Sequence, residues 1–147
     1  MNKGRPRYLI FALPGGLYAL ELSQVAKICE PEELWPVPAA PACYRGAMGF
    51  RGAITAVIDL AAFMGQPEER EAEKLIVLHP VIASLAFLVR RTLRIVTADQ
   101  VQLRQVANGP FVVGLLSLKE GEARLLDAEA ITEQATATIN ASPPHTE

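Results

Sequence analysis

A repeat of about 67 residues is the strongest constraint this chain places on its own fold. YRGAMGFRGAITAVIDL, residues 44–60, runs in step with FVVGLLSLKEGEARLLD, residues 111–127. Gly46 and Gly114 lie 68 positions apart, as do Asp59 and Asp127. Between them Met48 matches Leu116, Phe50 matches Leu118, Val57 matches Leu125 and Ile58 matches Leu126. Upstream, Leu9-Ile10 aligns with Leu75-Ile76 and Pro14 with Pro80 at an offset of 66, Ala19 with Ala86 at 67, and Ile28 with Val96 at 68. An ordered series of matches with a slow drift in spacing marks a duplicated unit with small loop insertions.

Each copy reads as short strands. The first holds YLIFAL, LYALEL, VAKICE, YRGAMGF and AITAVIDL; the second holds EKLIVL, IASLAFLV, LRIVT, FVVGLLSL and EARLLD. These runs are rich in branched and large apolar side chains and are bounded by Gly, Pro or acidic breakers. Gly15-Gly16 suits a hairpin, since glycine takes positive φ without a steric penalty. Gly52 and Gly121 mark the equivalent hairpins near the end of each copy. Five strands per copy predict two small antiparallel barrels, because closure removes exposed sheet edges. The expected divisions are a domain over 7–135, with a first barrel mostly over 16–65, a second mostly over 74–127 and terminal strands and a helix packing across, and a frayed tail over 136–147. A 65-residue lobe alone buries only about 60% of its unfolded surface, so the two lobes are expected to share an apolar seam. PEELWPVPAAPACY, residues 31–44, is too rich in proline for a strand and reads as an ordered connector packed down by Trp35 and Val37. Short helices are expected at 60–64 and 128–134, following Asp59 and Asp127, which read as paired N-caps.

Composition narrows the function. A formal net charge of −2 offers no basic field for a nucleic-acid backbone. Arg90, Arg91 and Arg94 read as the solvated edge of a strand. The apolar run after the basic MNKGRPR is only six residues long, too short for a signal peptide. No run is long and apolar enough to span a bilayer, so a soluble, cytoplasmic protein is expected. Cys29 and Cys43 with His79 and His145 lack the convergence a metal site requires. No nucleophile elbow, phosphate loop, zinc-protease motif or dinucleotide fingerprint is present. Ser117 near Lys119 has no evident base, and Cys43 reads as a small buried hydrophobe. No enzyme activity, cofactor or metal is expected, which leaves a binding module.

The order of motifs carries more than elimination does. YLIFALPGGLYALELSQVAKI followed by VPAAPACYRGAMGFRGAITAVIDLAAFMG resembles the CheW-like family, the coupling proteins of bacterial chemotaxis. LAFLV, TADQVQL, FVVGLLSL and ARLLD continue the likeness in the second copy. The resemblance implies an all-β fold of two five-stranded SH3-like barrels packed on a shared hydrophobic core, with short helices. It implies a non-enzymatic scaffold that joins the cytoplasmic tip of a methyl-accepting chemoreceptor to the regulatory domain of a chemotaxis histidine kinase. The length leaves no room for a kinase core or a receiver domain, so a stand-alone adaptor is expected. Arg51 and Gly52 match the family's Leu-Arg-Gly turn, where a guanidinium can meet a partner; a structural salt bridge or carbonyl capping is the alternative for Arg51. Val25 and Ile28 match the apolar positions of the segment that helps line the receptor groove, or are plain core. Gly46, Asp59, Gly114 and Asp127 are expected to be structural.

This chain also departs from the pattern. Lys27 stands where an acid is usual, Ala56 where a proline is usual, Gly49-Phe50 where Asn-Leu is usual, and Arg90 where an aspartate is usual. A reversed charge can reject one partner and admit another. The alternatives are therefore an accessory regulator of another chemosensory system, such as one controlling pilus motility, or, from a different class, a small-ligand-binding β-barrel protein or an enzyme with an unrecognised site. An apolar surface groove would favour the adaptor, and a polar cluster in an open cavity would favour the ligand binder.

Overall fold

The computed structural model describes residues 5–38 and 40–141. The first copy of the repeat forms β1 (Arg7–Leu13), β2 (Gly16–Glu21), β3 (Val25–Cys29), β4 (Tyr44–Phe50), β5 (Ala53–Asp59) and the one-turn helix α1 (Leu60–Phe63). The second forms β6 (Lys74–Leu78), β7 (Leu85–Val89), β8 (Arg91–Thr97), β9 (Gln102–Asn108), β10 (Val112–Leu118), β11 (Gly121–Leu126) and α2 (Ala128–Ala141).

The strands form two mixed sheets, ordered β8-β1-β2-β11-β10-β9 and β3-β6-β7-β5-β4. Each copy therefore lends its first hairpin to the other copy's sheet. The barrels do not follow the expected divisions at 16–65 and 74–127. β2 pairs in parallel with β11 (Leu125 opposite Ala19), and β5 pairs in parallel with β7 (Val57 opposite Ala86). These two ladders exchange the hairpins, and strand periodicity carries no information about which strands become neighbours. The six-stranded sheet has an edge strand, β9, where the first copy has only the isolated Trp35–Ala47 bridge.

The ladders also refine the repeat. Ile10 faces Ala19 on one side and Arg94 on the other. Val77 faces Ala86 on one side and Lys27 on the other. The twin of Ile10 is thus Val77, and the twin of Ile28 is Ile95, at a uniform offset of 67. The sequence alignments of Leu9 with Leu75 and of Ile28 with Val96 are each one residue out of step. A slip of one residue turns every side chain to the opposite face of its strand.

Three apolar clusters explain why the central strands are apolar on both faces. Tyr8, Ile10, Ala19, Val96, Leu116 and Ala123 fill one sheet's interior. Met48, Val57, Leu75, Val77 and Ala86 fill the other's. The alternate residues Leu9, Phe11, Leu20, Ile58, Ile76 and Phe87 meet in a seam between the sheets. Burying side chains of this size contributes about 1.5–3 kcal/mol each, which is how two small sheets become one stable body.

Two segments differ from expectation. Trp35 does not pack the connector down: its backbone bridges to Ala47, while its side chain is 57% exposed. Val37 is exposed as well, and Leu34 makes the apolar contact instead. Helix α2 continues to Ala141, well past residue 134 and into the segment expected to fray. Buried Ile131 and Ala135 anchor it to the seam. Residues 142–147 of the expected tail lie outside the described residues.

Candidate functional site

Arg51 and Gly52 form the two-residue turn between β4 and β5, closed by the Phe50–Ala53 pair. Both have positive φ, 53° and 80°, the combination that matches a hairpin to the twist of its strands. Arg51 is the one non-glycine residue with positive φ among the described residues. That conformation costs an L-residue about 1–2 kcal/mol, so the turn holds its arginine against backbone preference. The exposed guanidinium lies over the Phe50 ring, 4.9 Å from its centroid, and makes no ion pair among the described residues. Asp59, the acid nearest in sequence, belongs to Arg45. Below the turn lies a small cavity of about 60 Å³ lined by Phe50, Arg51, Thr55, Leu78, Pro80 and Ala83.

The edge strand β3 reaches the same end of its sheet. Val25 pairs with Leu78, which lines the Arg51 cavity. Val25 and Ile28 are half-buried and pack on the seam cluster, so they are core residues with part of their surface open. Lys27 is exposed, with no ion pair among the described residues. Val25 and Arg51 are brought to one end of the sheet, whereas Lys27 and Ile28 sit further along β3, opposite Val77 and Ile76.

Asp59 is fully buried and binds three groups. Its Oδ1 accepts the Ala62 N–H at 3.2 Å, capping α1. Its Oδ2 accepts Arg45 Nη2 at 2.7 Å and the Glu69 N–H at 2.8 Å. Arg45 also pairs with Glu68 at 3.0 Å, and the buried Glu69 carboxylate takes Arg90 Nε at 3.2 Å. Arg90 therefore ties down the segment after α1 rather than lying on a solvated edge. Sequence reasoning missed Arg45, yet the hairpin register held the signal. A two-residue turn at 51–52 sets Gly46 against Val57, and the shift that then pairs Tyr44 with Ile58 leaves Arg45 beside Asp59. Asp127 is less buried, and its Oδ1 accepts the N–H groups of Glu129 and Ala130 at 3.0 and 3.2 Å, capping α2. Gly46 and Gly114 both sit where a strand register shifts. A Cβ on Gly46 would lie 2.6 Å from the Trp35 carbonyl oxygen, and one on Gly114 2.8 Å from Leu103 Cδ1.

Nothing in this arrangement assembles a nucleophile with a base. Burial pushes the Cys29 and Cys43 thiols up, away from reactive thiolate. Among the described residues, no group of three or more His, Cys, Asp or Glu could hold a metal ion, and no helix is long and apolar enough to cross a membrane.

The chain is 26% identical over 133 residues to the "Chemotaxis protein CheW" of Thermotoga maritima, a match spanning 87% of this chain and 88% of that protein. Its fold is similar to the crystal structure of the scaffolding protein TtCheW from Thermoanaerobacter tengcongensis, with a TM-score of 0.73 at 17% identity over 88% of this chain and 93% of that one. The two sheets described above are accordingly the two SH3-like barrels of that architecture. Residues 7–136 match the model of the CheW-like domain, and the chain belongs to this family of non-enzymatic chemotaxis scaffolds.

Proposed function

We propose that this chemotaxis scaffold couples the cytoplasmic signalling tip of a methyl-accepting chemoreceptor to the regulatory domain of a chemotaxis histidine kinase, in the cytoplasm. The observation that carries the proposal is Arg51, an exposed cation without an acidic partner, held at a turn in a conformation its backbone disfavours. Strained residues that persist in this way cluster at functional sites.

The duplication sharpens the chemistry. The twin of Lys27 is Arg94, which pairs with Glu120 in the β10–β11 turn. The position equivalent to Glu120 in the first copy is Gly52, beside Arg51. One sheet thus neutralises its outer-strand cation internally, while the other leaves Lys27 and Arg51 both open. Two open cations beside the half-buried Val25 and Ile28 suit a helix that brings acidic side chains next to apolar anchors.

Calorimetric titration of the full chain against a receptor-tip fragment and against the isolated kinase regulatory domain tests the proposal. Saturable binding to both is expected, with one weakened by Arg51→Ala in a protein of unchanged fold. No binding to either by a folded sample would remove the proposed role. A second reading, an accessory regulator in a different chemosensory system, is favoured by the exposed Lys27, a cation where the family pattern carries an acid. Under that reading the chain binds the kinase domain alone, and Lys27→Glu restores receptor binding.

A further inference from the structure

A second cavity, of about 220 Å³, shares no lining residue with the one beneath the Arg51 turn. Tyr18 of β2 and Arg124 of β11 meet there as direct neighbours in the parallel ladder. Gln66, Met64, Pro110, Phe111 and Val112 complete the walls. The cavity exists because the two copies end differently. In the second copy, α2 runs on past its first turns, and Tyr44 donates its hydroxyl to the Ala135 carbonyl, roofing that corner. In the first copy, α1 stops at Phe63, and the equivalent corner beside Val112, the twin of Tyr44, stays open.

The hydrogen bonds inside this corner are one-sided. Gln66 Oε1 accepts the Gly15 N–H at 3.0 Å, and Gln66 Nε2 donates to the Tyr18 hydroxyl oxygen at 2.6 Å. That oxygen also receives Arg124 Nη1 at 3.4 Å. A phenol has two lone pairs and one proton, so Tyr18 has its acceptor capacity filled and its O–H left to donate. Arg124 lies over the Tyr18 ring at 5.5 Å, is half-buried and pairs with no carboxylate among the described residues. Tyr18 and Arg124 therefore present donors to the cavity, while the Gln66 amide is engaged with Gly15 and Tyr18.

We infer that this cavity binds a compact organic carboxylate. A carboxylate supplies acceptors only, and it can take two N–H bonds from a guanidinium and one O–H from the phenol. Met64, Phe111 and Val112 offer nothing to the further oxygens of a phosphate, but they suit an apolar body. The volume falls below the roughly 300–1,000 Å³ of pockets that hold drug-sized ligands, which limits the body to about one ring. Tyr18 and Arg124 belong to one sheet, whereas Met64 and Gln66 follow the other, so the bound molecule bridges the two barrels.

The test is amide-resolved NMR of the full chain titrated with benzoate, with its neutral counterpart benzyl alcohol, and with N-acetyl-phenylalanyl-glutamyl amide. Saturable shifts at Gln66, Phe111, Val112 and Arg124 are expected, with a Kd of about 1 mM or tighter for a carboxylate. Binding should weaken at least about tenfold for benzyl alcohol and for Arg124→Met, the loss expected when about 1.4 kcal/mol of charge-assisted bonding goes. Tyr18→Phe, which keeps the ring packed against Phe11, should weaken it several-fold without unfolding the chain. Saturation by benzoate but not the dipeptide identifies a free small molecule as the ligand, and the reverse identifies a partner's glutamate. Equal binding of the alcohol, undiminished binding by folded Arg124→Met or Tyr18→Phe, or no saturation with either carboxylate would overturn the assignment.

Discussion

Replacing Asp59 and Asp127 by alanine, one at a time, separates a helix cap from a buried ion pair, because the two aspartates are twins in the repeat. Asp127 does little beyond capping α2, so Asp127→Ala should cost about 1 kcal/mol, the usual loss of an N-cap. Asp59 caps α1 and also holds Arg45 and the Glu69 N–H from a fully buried position. Removing it leaves a guanidinium that is only 28% exposed with the half-exposed Glu68 as its one remaining carboxylate, and strands a buried amide. The expected cost of Asp59→Ala is therefore about 3–5 kcal/mol. Asp59→Asn keeps one oxygen for the Ala62 N–H but turns an NH2 donor towards the Glu69 N–H and Arg45, so it should cost nearly as much as Asp59→Ala, about 2–4 kcal/mol. At roughly 2–4 °C per kcal/mol for a chain near this length, Asp127→Ala lowers Tm by a few degrees and Asp59→Ala by about 6–20 °C. Urea unfolding followed by far-ultraviolet circular dichroism measures all three variants. If Asp59→Ala proves no more costly than Asp127→Ala, the buried pair contributes nothing net, and the argument that Arg45 and Asp59 fix this corner fails.

Three further outcomes can be measured on the same apparatus. Gly46→Ala puts a methyl group against the Trp35 carbonyl at a φ of +146° and should cost about 1–3 kcal/mol, whereas Gly49→Ala, with open space around it, should be neutral or slightly stabilising by urea midpoint. Arg51→Asn suits positive φ better and should raise Tm by about 2–4 °C, while weakening the partner titration about tenfold; a variant that gains stability and keeps full affinity would remove Arg51 from the contact. Burial, aided by the nearby Cys43, pushes the Tyr44 hydroxyl from its ordinary 10.0 up to about 12. The unfolded chain thus loses this proton first, so the contribution of Tyr44 is intact below pH 10 and is lost as pH rises towards 12. Tyr44→Phe should flatten part of that alkaline decline in urea midpoint, the rest coming from Tyr8, Cys29 and Cys43, which burial also raises.

Much of the architecture was legible because strands, breakers and the repeat are local. The aspartates of the repeat each cap a helix, and its glycines each sit at a register shift. The exchange of hairpins was not legible: apolar content shows that YLIFAL is a strand but not that it lies beside residues 91–97. The one-residue error at Leu9 has a specific cause. A strand buried on both faces loses the alternation that would mark its inner side, so a slip leaves the sequence match looking equally good. The expected end of α2 at residue 134 falls short because ATATINA lacks an apolar period, although its alanines are the strongest helix formers and Ala135 is buried in the seam. At the candidate site, the resemblance pointed to Arg51, and the geometry added why it stands alone: Arg45 occupies Asp59. The Tyr18–Arg124 corner had no sequence signal, since the two residues become neighbours only through the parallel ladder.

The hairpin exchange also sets the order in which the protein can be built on a ribosome. Residues 25–89 contain every strand of one sheet, so that sheet is a contiguous insert within the other. β8 begins at Arg91, seventy residues beyond the end of β2 at Glu21. At about 5–20 residues per second, β1 and β2 spend several seconds outside the tunnel before either of their flanking strands exists. A lone hairpin is marginally stable in water, and this one carries Leu9, Ile10, Phe11 and Leu20, destined for two separate interiors. This hairpin is thus made well before the strands that lock it in place, and it stays exposed to chaperones, proteases and misassembly while the insert completes itself.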